Sequence, residues 1–442
     1  MLKSLSGRPD VPQVCVPIGS APFPVPFASG LEYVPPARGV WNIVHVGMLI
    51  PEAHQIFVCA PGCLRGVVLT AAEMNASDRF STVAIRESDV LEGGMESLII
   101  EGVTDILNRL PSRPPAVLVF TSCIQHFMGC DLPLVYRTLR ARFPGTAFAD
   151  CYMTPILRKS GLTPDEMMRR QLYSLLEKRP LNSRSVSLIG NCFPTDESSE
   201  LVRLIRESGF DLKDITLCKT YAEYQKMAES FLAISCCPAA RAGGDALEKR
   251  LSQKHRYLPL SYSYREIEQN LHRLSGALGV PERDYSSAVS RAEAALRKAR
   301  KVIGGCPVAL DAAATPRPLS LSRLLCEHGF SVERIYADGF SPEEKADFEW
   351  LRKNRPEIRL YPVSRPEMRV LPRRTPGKTL AVGQKAAYFT GSSYFVNVVE
   401  GGGMYGFDGI CRMAKKMTDA FLHEKDARSL IQMKGLGCDG CR

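Results

Sequence analysis

The residues in this chain best placed to do chemistry are cysteines. Cys15 in "VPQVCVPIG", Cys63 in "CAPGCLRG" and Cys123 in "VFTSCIQHFMGCD" each stand beside turn-formers or a strand end. A thiol at such a break can point at a cofactor, with backbone N–H groups near enough to hydrogen-bond cluster sulfides. The alternative is packing, since free cysteine often behaves as a small buried hydrophobe. Packing is the reading for Cys192, Cys218, Cys306 and Cys326, which lie inside strand or helix patterns. No pair among Cys15, Cys63 and Cys123 forms a C-x-x-C, so spacing alone does not separate the two readings. The final "GLGCDGCR" does hold a C-x-x-C, Cys438 and Cys441. It could bind metal or cycle as a dithiol, although two thiols cannot complete a tetrahedral site. His126, three residues past Cys123, is either a proton donor near such a site or a solvated side chain.

Composition narrows the class. The 442 residues suffice for two to four domains, and 45% hydrophobic with 24% charged residues is ordinary for a globular protein. Fifteen cysteines, an odd number, read as thiols or metal ligands of a cytosolic protein rather than a disulfide framework. No run approaches 18 apolar residues, so no membrane span or membrane partner is expected. "MLKSLSGRPDVPQV" has no apolar h-region and does not read as a signal peptide, which makes the cytoplasm the expected location. The net charge of +10 is spread over short runs such as "LPRRTPGK". It reads as a solvated surface, and no nucleic-acid partner is expected.

The elements that must position these residues alternate between strand and helix. The first fifty residues, rich in Pro and Gly, should wrap over other structure. Then "AVLVFTSC", "TAFAD", "SVSLIGN", "DITLC", "FLAIS", "PVALDAA", "RIYAD", "RLYPV", "KAAYFTG" and "YFVNVV" read as strands, with helical stretches between most of them. Two capping boxes mark helix starts, Thr163 to Glu166 and Ser341 to Glu344. A helix over about 283–301 carries an alanine stripe and reads as a bridge between domains. The alternation implies an α/β fold of three doubly wound, Rossmann-like parallel-sheet domains around a central crevice. The expected boundaries are 1–180 with Cys15, Cys63 and Cys123, 181–280, 281–425 with the bridging helix, and a tail over 426–442 with the C-x-x-C. Ligands bind such sheets at the carboxyl ends of their strands, where Cys123 and Cys236 both fall.

With those motifs in view, the chain resembles the component 1 proteins of nitrogenase and their relatives, including the catalytic subunits of nitrogenase-like reductases. The matches run over nearly the whole chain: Cys15 in "CVPIG", Cys63 in "APGC", "VLEGG" at 90–94, Cys123 in "TSCIQHFMGCD", "FLAISCCPAARAGGD" with Cys236, and "EGGGMYGFDGICRMAKKM". The ligand set is of the α type, because "RFSTV" lacks the β-type cysteine. The gap from Cys15 to Cys63, 48 residues, is longer than the family's, whereas the 60 residues from Cys63 to Cys123 are close to it. No histidine occurs in 391–409, where the family's cofactor-ligating histidine precedes "GFDG". The resemblance therefore does not extend to a molybdenum–iron cofactor held as in dinitrogen-fixing enzymes.

The resemblance implies an oxidoreductase subunit holding an Fe–S cluster, [4Fe–4S] or larger, on Cys15, Cys63 and Cys123. It implies a homologous component 1 subunit as partner, in a homo- or hetero-oligomer. A separate ATP-dependent [4Fe–4S] reductase would supply electrons, since this chain has no G-x-x-x-x-G-K-[ST] loop. Cys236 would ligate a second metallocofactor, touch an organic substrate, or pack beside Cys237. Gly401, Gly402 and Gly403 would let backbone approach a bulky ligand, or form a plain flexible turn. Two other classes stay open: a cofactor-assembly scaffold that binds a cluster without turnover, and a non-catalytic α/β binding protein with packed thiols.

Overall fold

The structure, a computed structural model, describes residues 14–37, 39–154, 161–371 and 377–427. Cys438 and Cys441 lie outside the described residues. The chain divides into two compact units, one of residues 41–194 and 209–258, the other of residues up to 40, 195–208 and from 259 onward.

The first unit holds two four-stranded sheets, both wholly parallel. In one, the order across the sheet is Phe80–Ala84, His54–Cys59, Ala116–Ser122, Ala147–Met153. In the other it is Asp211–Asp214, Asn182–Ile189, Ser230–Ser235, Lys254–Tyr257. The inner strands His54–Cys59, Ala116–Ser122 and Ser230–Ser235 are buried on two faces and therefore read as largely apolar runs. In His54–Cys59, Ile56 and Val58 face a core with Ile99, Val103, Val135 and Leu139 of the covering helices. Phe57 and Cys59 face the opposite core. There Phe57 stacks on Phe120 with ring centroids 4.1 Å apart. This second core also takes in Met168, Leu172 and Tyr173, together with Ala233, Leu247 and Leu251 from the second sheet's layer. Helix Pro164–Gln171 starts at the expected capping box: Thr163 N–H donates to Glu166 Oε2 at 2.7 Å and Glu166 N–H to Thr163 Oγ1 at 3.3 Å.

The second unit carries a six-stranded sheet in the order Val16–Pro17, Arg359–Tyr361, Ser331–Tyr336, Pro307–Asp311, Leu380–Val382, Phe395–Val396. Its five inner and C-terminal strands run parallel in the doubly wound order. The edge strand Val16–Pro17 pairs antiparallel, a departure from the all-parallel expectation. Pro17 has no N–H to give a ladder, and an edge is where a strand tolerates that. Helix Ser286–Ile303 buries Ala288, Ala292, Leu296 and Ala299 and packs on helix Gly406–Leu422 of the same unit.

Three local expectations fail. "DITLC" is not a strand; the strand is Asp211–Asp214, and Ile215–Leu217 forms a single 3₁₀ turn. "KAAYFTG" is not a strand; Gln384–Thr390 is a helix, entered from Gly383 at φ +107° and closed by Gly391 at φ +67°. Nearly every residue of that helix is buried, so no helical period shows in its sequence. The second capping box does not form either. Ser341 Oγ accepts from Glu343 N–H at 3.3 Å. The fully buried Glu344 instead reaches the first turn of helix Pro318–Glu327, where Oε1 accepts from Leu319 N–H at 2.7 Å and Ser320 N–H at 3.3 Å.

Burial outweighs the nearby Arg317 guanidinium and pushes the Glu344 carboxyl from 4.5 up to about 8. The unfolded carboxyl is ionised throughout pH 6–9, whereas the folded one must lose its proton inside the core as pH rises through about 8. This group's stabilisation is therefore full in acid and falls on the alkaline side. Between pH 6 and pH 9 it should cost the second unit about 2–3 kcal/mol. Glu344→Gln keeps the acceptor oxygen and should flatten that slope. Denaturant midpoints at pH 6, 7.5 and 9 for both proteins test this; equal slopes would contradict it.

Candidate functional site

In a doubly wound sheet the first and third strands in sequence lie side by side, and their connections leave in opposite directions. In the first sheet those strands are His54–Cys59 and Ala116–Ser122, paired with Val58 opposite Thr121. Cys59 ends the first, Cys63 stands in the opening turn of helix Pro61–Glu73, and Cys123 opens the short helix Cys123–Phe127. Cys63 and Cys123, both read from the sequence, thus leave neighbouring strand ends of one sheet.

The turns that present them are fixed by backbone bonding. Cys63 N–H donates to Ala60 O at 2.9 Å. Gln125 Oε1 accepts from Ser122 N–H at 2.8 Å and from Ser122 Oγ at 2.7 Å, while its Nε2 donates to Val58 O at 2.9 Å. A buried amide therefore locks the Cys123 turn to the strand that carries Cys59. Cys63 is exposed, Cys123 half-buried and Cys59 fully buried. Burial, with Cys63 and Cys123 close by, pushes the Cys59 thiol up to about 12. Cys59 is thus a neutral neighbour of the other two, and sequence reading missed it. Its place at the last residue of a buried strand was the available signal.

Cys15 belongs to the second unit. It is buried with Val14, Ala37, Tyr336 and Tyr361 and hydrogen-bonds Tyr361, whose hydroxyl it helps push above its ordinary range. His126 is exposed on the Cys123 helix. Cys130 lies beside Glu96, and burial with that carboxylate pushes its thiol up to about 12. Among the described residues no group of three or more His, Cys, Asp or Glu side chains is close enough to hold a single metal ion. A cluster spreads its ligands wider than one ion does. Soft sulfur donors on adjacent strand ends, one exposed and one half-buried, fit an Fe–S group in donor type and access.

Cys236 occupies the corresponding position in the second sheet, following Ser230–Ser235, which pairs with Asn182–Ile189. It is partly exposed, and burial, Cys237 and Asp214 hold its thiol well above the ordinary range. Gly401, Gly402 and Gly403 lie in the second unit, all left-handed at φ +79°, +55° and +81°. Their turn is anchored rather than loose. Glu400 N–H and Gly401 N–H each donate at 2.8 Å, to Ala313 O and Ala314 O, and Gly403 O accepts from Asp196 N–H at 2.9 Å. Three consecutive positive φ angles account for the three glycines.

Among the described residues no helix is long and apolar enough to cross a membrane. A search of the curated proteins matched none. The fold is similar to that of a solved chain described as "Nitrogenase Cp1 at pH 6.5", with TM-score 0.67 and 16% identity over 90% of this chain and 94% of that one. A second, "Nitrogenase Cp1 at pH 5", gives TM-score 0.60 and 13% identity over 89% of this chain and 90% of that one. At such identities these likenesses speak to the fold. The family whose sequence model matches residues 44–422 is described as nitrogenase component 1 type oxidoreductase. The strand order, the thiols at the sheet's switch point and this match converge, and the chain belongs to the nitrogenase component 1 type oxidoreductases.

Proposed function

We propose that this chain is the catalytic subunit of a nitrogenase-like reductase. The observation that carries the reading is the placement of Cys63 and Cys123 on adjacent strand ends at the switch point of one parallel sheet. Together with Cys15 they would hold an Fe–S cluster, which supplies reversible one-electron storage when bound. The first-turn N–H groups of helix Pro61–Glu73 favour negative charge there. The Gln125 lock keeps the Cys123 turn from moving when charge arrives. A homologous component 1 subunit completes the assembly, in the cytoplasm, and an ATP-dependent [4Fe–4S] reductase provides electrons. These pass to a substrate or second metallocofactor at Cys236, with Gly401–Gly403 lining a ligand pocket in the second unit. The domain reading stays 1–180, 181–280 and 281–425 with a tail over 426–442, with Val16–Pro17 lending an edge strand to the third sheet.

A scaffold on which a cofactor is assembled is the second reading, favoured by the absence of histidine from 391–409. A protein that must release its cargo does not need the extra ligand. The test is iron and acid-labile sulfide on anaerobically purified protein co-expressed with its partner, with EPR after dithionite. Iron-free protein would overturn both readings. Iron with substrate-linked electron consumption supports the reductase, and iron without it supports the scaffold.

A further inference from the structure

Ser235 is the last residue of strand Ser230–Ser235, immediately before Cys236. Its Oγ lies 2.8 Å from Nε2 of His255, and Nδ1 of that ring lies 2.9 Å from Oδ1 of Asp245. Ser235 is fully buried, the His255 side chain is 5% exposed and the Asp245 side chain 72% exposed. The three polar groups therefore form a hydrogen-bonded chain that starts in solvent and ends at the residue beside Cys236.

The fold builds this chain from three elements. Parallel pairing sets Ala233 opposite His255 and Ser235 opposite Tyr257. Helix Arg241–Leu251 brings Asp245 over the same strands. A Cβ at Gly244 would meet the His255 ring at 2.2–2.4 Å, so the ring lies against bare backbone. Glycine inside a helix is less favourable than alanine. An apolar pair at 244 and 255 would pack without that cost. Of the charged groups around His255, Asp245 bonds the ring, Arg256 bonds the His255 carbonyl oxygen at 2.7 Å, and Arg241 lies over Tyr257.

We propose that Asp245, His255 and Ser235 are a proton path from solvent to the site at Cys236, supplying the protons that a reduction there consumes. The inference rests on the reductase reading. Ahead of a transfer Nε2–H donates to Ser235 Oγ, and Nδ1 keeps its lone pair on the solvent side, beside Asp245. A proton entering from water by way of Asp245 lands on Nδ1 and makes the imidazolium, which the Asp245 carboxylate stabilises. Nε2–H then donates to Ser235 Oγ as Ser235 passes its own proton on. Only O–H and N–H bonds are made and broken, one proton moves inward, and the electrons come from the iron–sulfur reductase. His255, Ser235 and Asp245 act here as conducting and positioning groups.

The test is proton uptake, followed with a pH indicator, when the metal-loaded protein in complex with its partner subunit is photochemically reduced. The readout needs no substrate. Wild type, His255→Gln, Ser235→Ala and the surface variant Asp245→Asn are compared, with iron content and thermal midpoint measured on each. The expected result is unchanged iron and unchanged electron arrival. Proton uptake should slow about tenfold or more in His255→Gln and Ser235→Ala, with a larger solvent deuterium effect. Asp245→Asn, which folds because its side chain is in water, should slow it less and shift its pH dependence. Wild-type rate and isotope effect in loaded variants, even with a lowered midpoint, would show a merely structural role and overturn the path. Loaded wild type that takes up no proton overturns it too. Wild type without metal overturns the reductase reading itself.

Discussion

Cys63→Ala and Cys123→Ala should each cost the protein most of its iron, with little loss of stability. Cys63 is exposed and Cys123 only half-buried, so truncating either removes few packing contacts. The effect on folding should stay within about 1 kcal/mol, as for ordinary surface changes. A cluster, by contrast, loses one of its thiolate ligands in each variant. Gln125 is committed to Ser122 and to Val58 O. Cys59, close to both, is fully buried at the end of its strand. Cys15→Ala should also lose iron, but with a stability cost, since Cys15 packs among Val14, Ala37 and Tyr336 and bonds Tyr361. Iron and sulfide per chain, with thermal midpoints, check all three. Full iron in Cys63→Ala and Cys123→Ala would remove them from the ligand set.

Asp311→Ala should destabilise the second unit by about 3–5 kcal/mol, since several buried donors lose their acceptor at once. Asp311 is fully buried at the end of strand Pro307–Asp311. Its Oδ1 accepts from Ala313 N–H at 2.8 Å and Ala314 N–H at 2.9 Å, and its Oδ2 from Ala386 N–H at 2.8 Å. One carboxylate thus caps the turn after the strand and the first turn of helix Gln384–Thr390. Burial raises its carboxyl above the ordinary range even against these donors and Lys385. The consequence reaches the triple glycine, because Ala313 O and Ala314 O receive Glu400 N–H and Gly401 N–H. Asp311→Asn keeps one acceptor oxygen but turns an NH₂ toward the remaining donors, and should lose somewhat less. Denaturant unfolding gives the magnitude, and amide exchange at Glu400 and Gly401 reports the loosened turn. A cost below about 1 kcal/mol, with exchange unchanged there, would show that other contacts hold the turn.

Much of the architecture was determined by local sequence. Buried strands read as continuous apolar runs, and turn residues broke them at the right places. Thr163 and Glu166 are three residues apart, so their capping box depends on nothing distant and formed as read. Cys123 stood at a strand end in the sequence and Cys63 after a Pro-Gly turn, and a strand end in a parallel sheet is a ligand-facing edge. What needed tertiary structure was anything settled by a distant partner. Glu344 has the spacing of a capping box, yet a helix start more than twenty residues away in sequence captured its carboxylate. Residues 384–390 carry no helical period because their helix is buried nearly all round, and Asp311, distant in sequence, caps it. Cys59 gave no signal of its own until strand pairing set it beside Cys123's turn. Ser235, Asp245 and His255 show no motif, since two strands and a helix bring them together across twenty residues. Local propensity is written residue by residue, whereas hydrogen-bond partners and burial are decided by which elements the sheets place side by side.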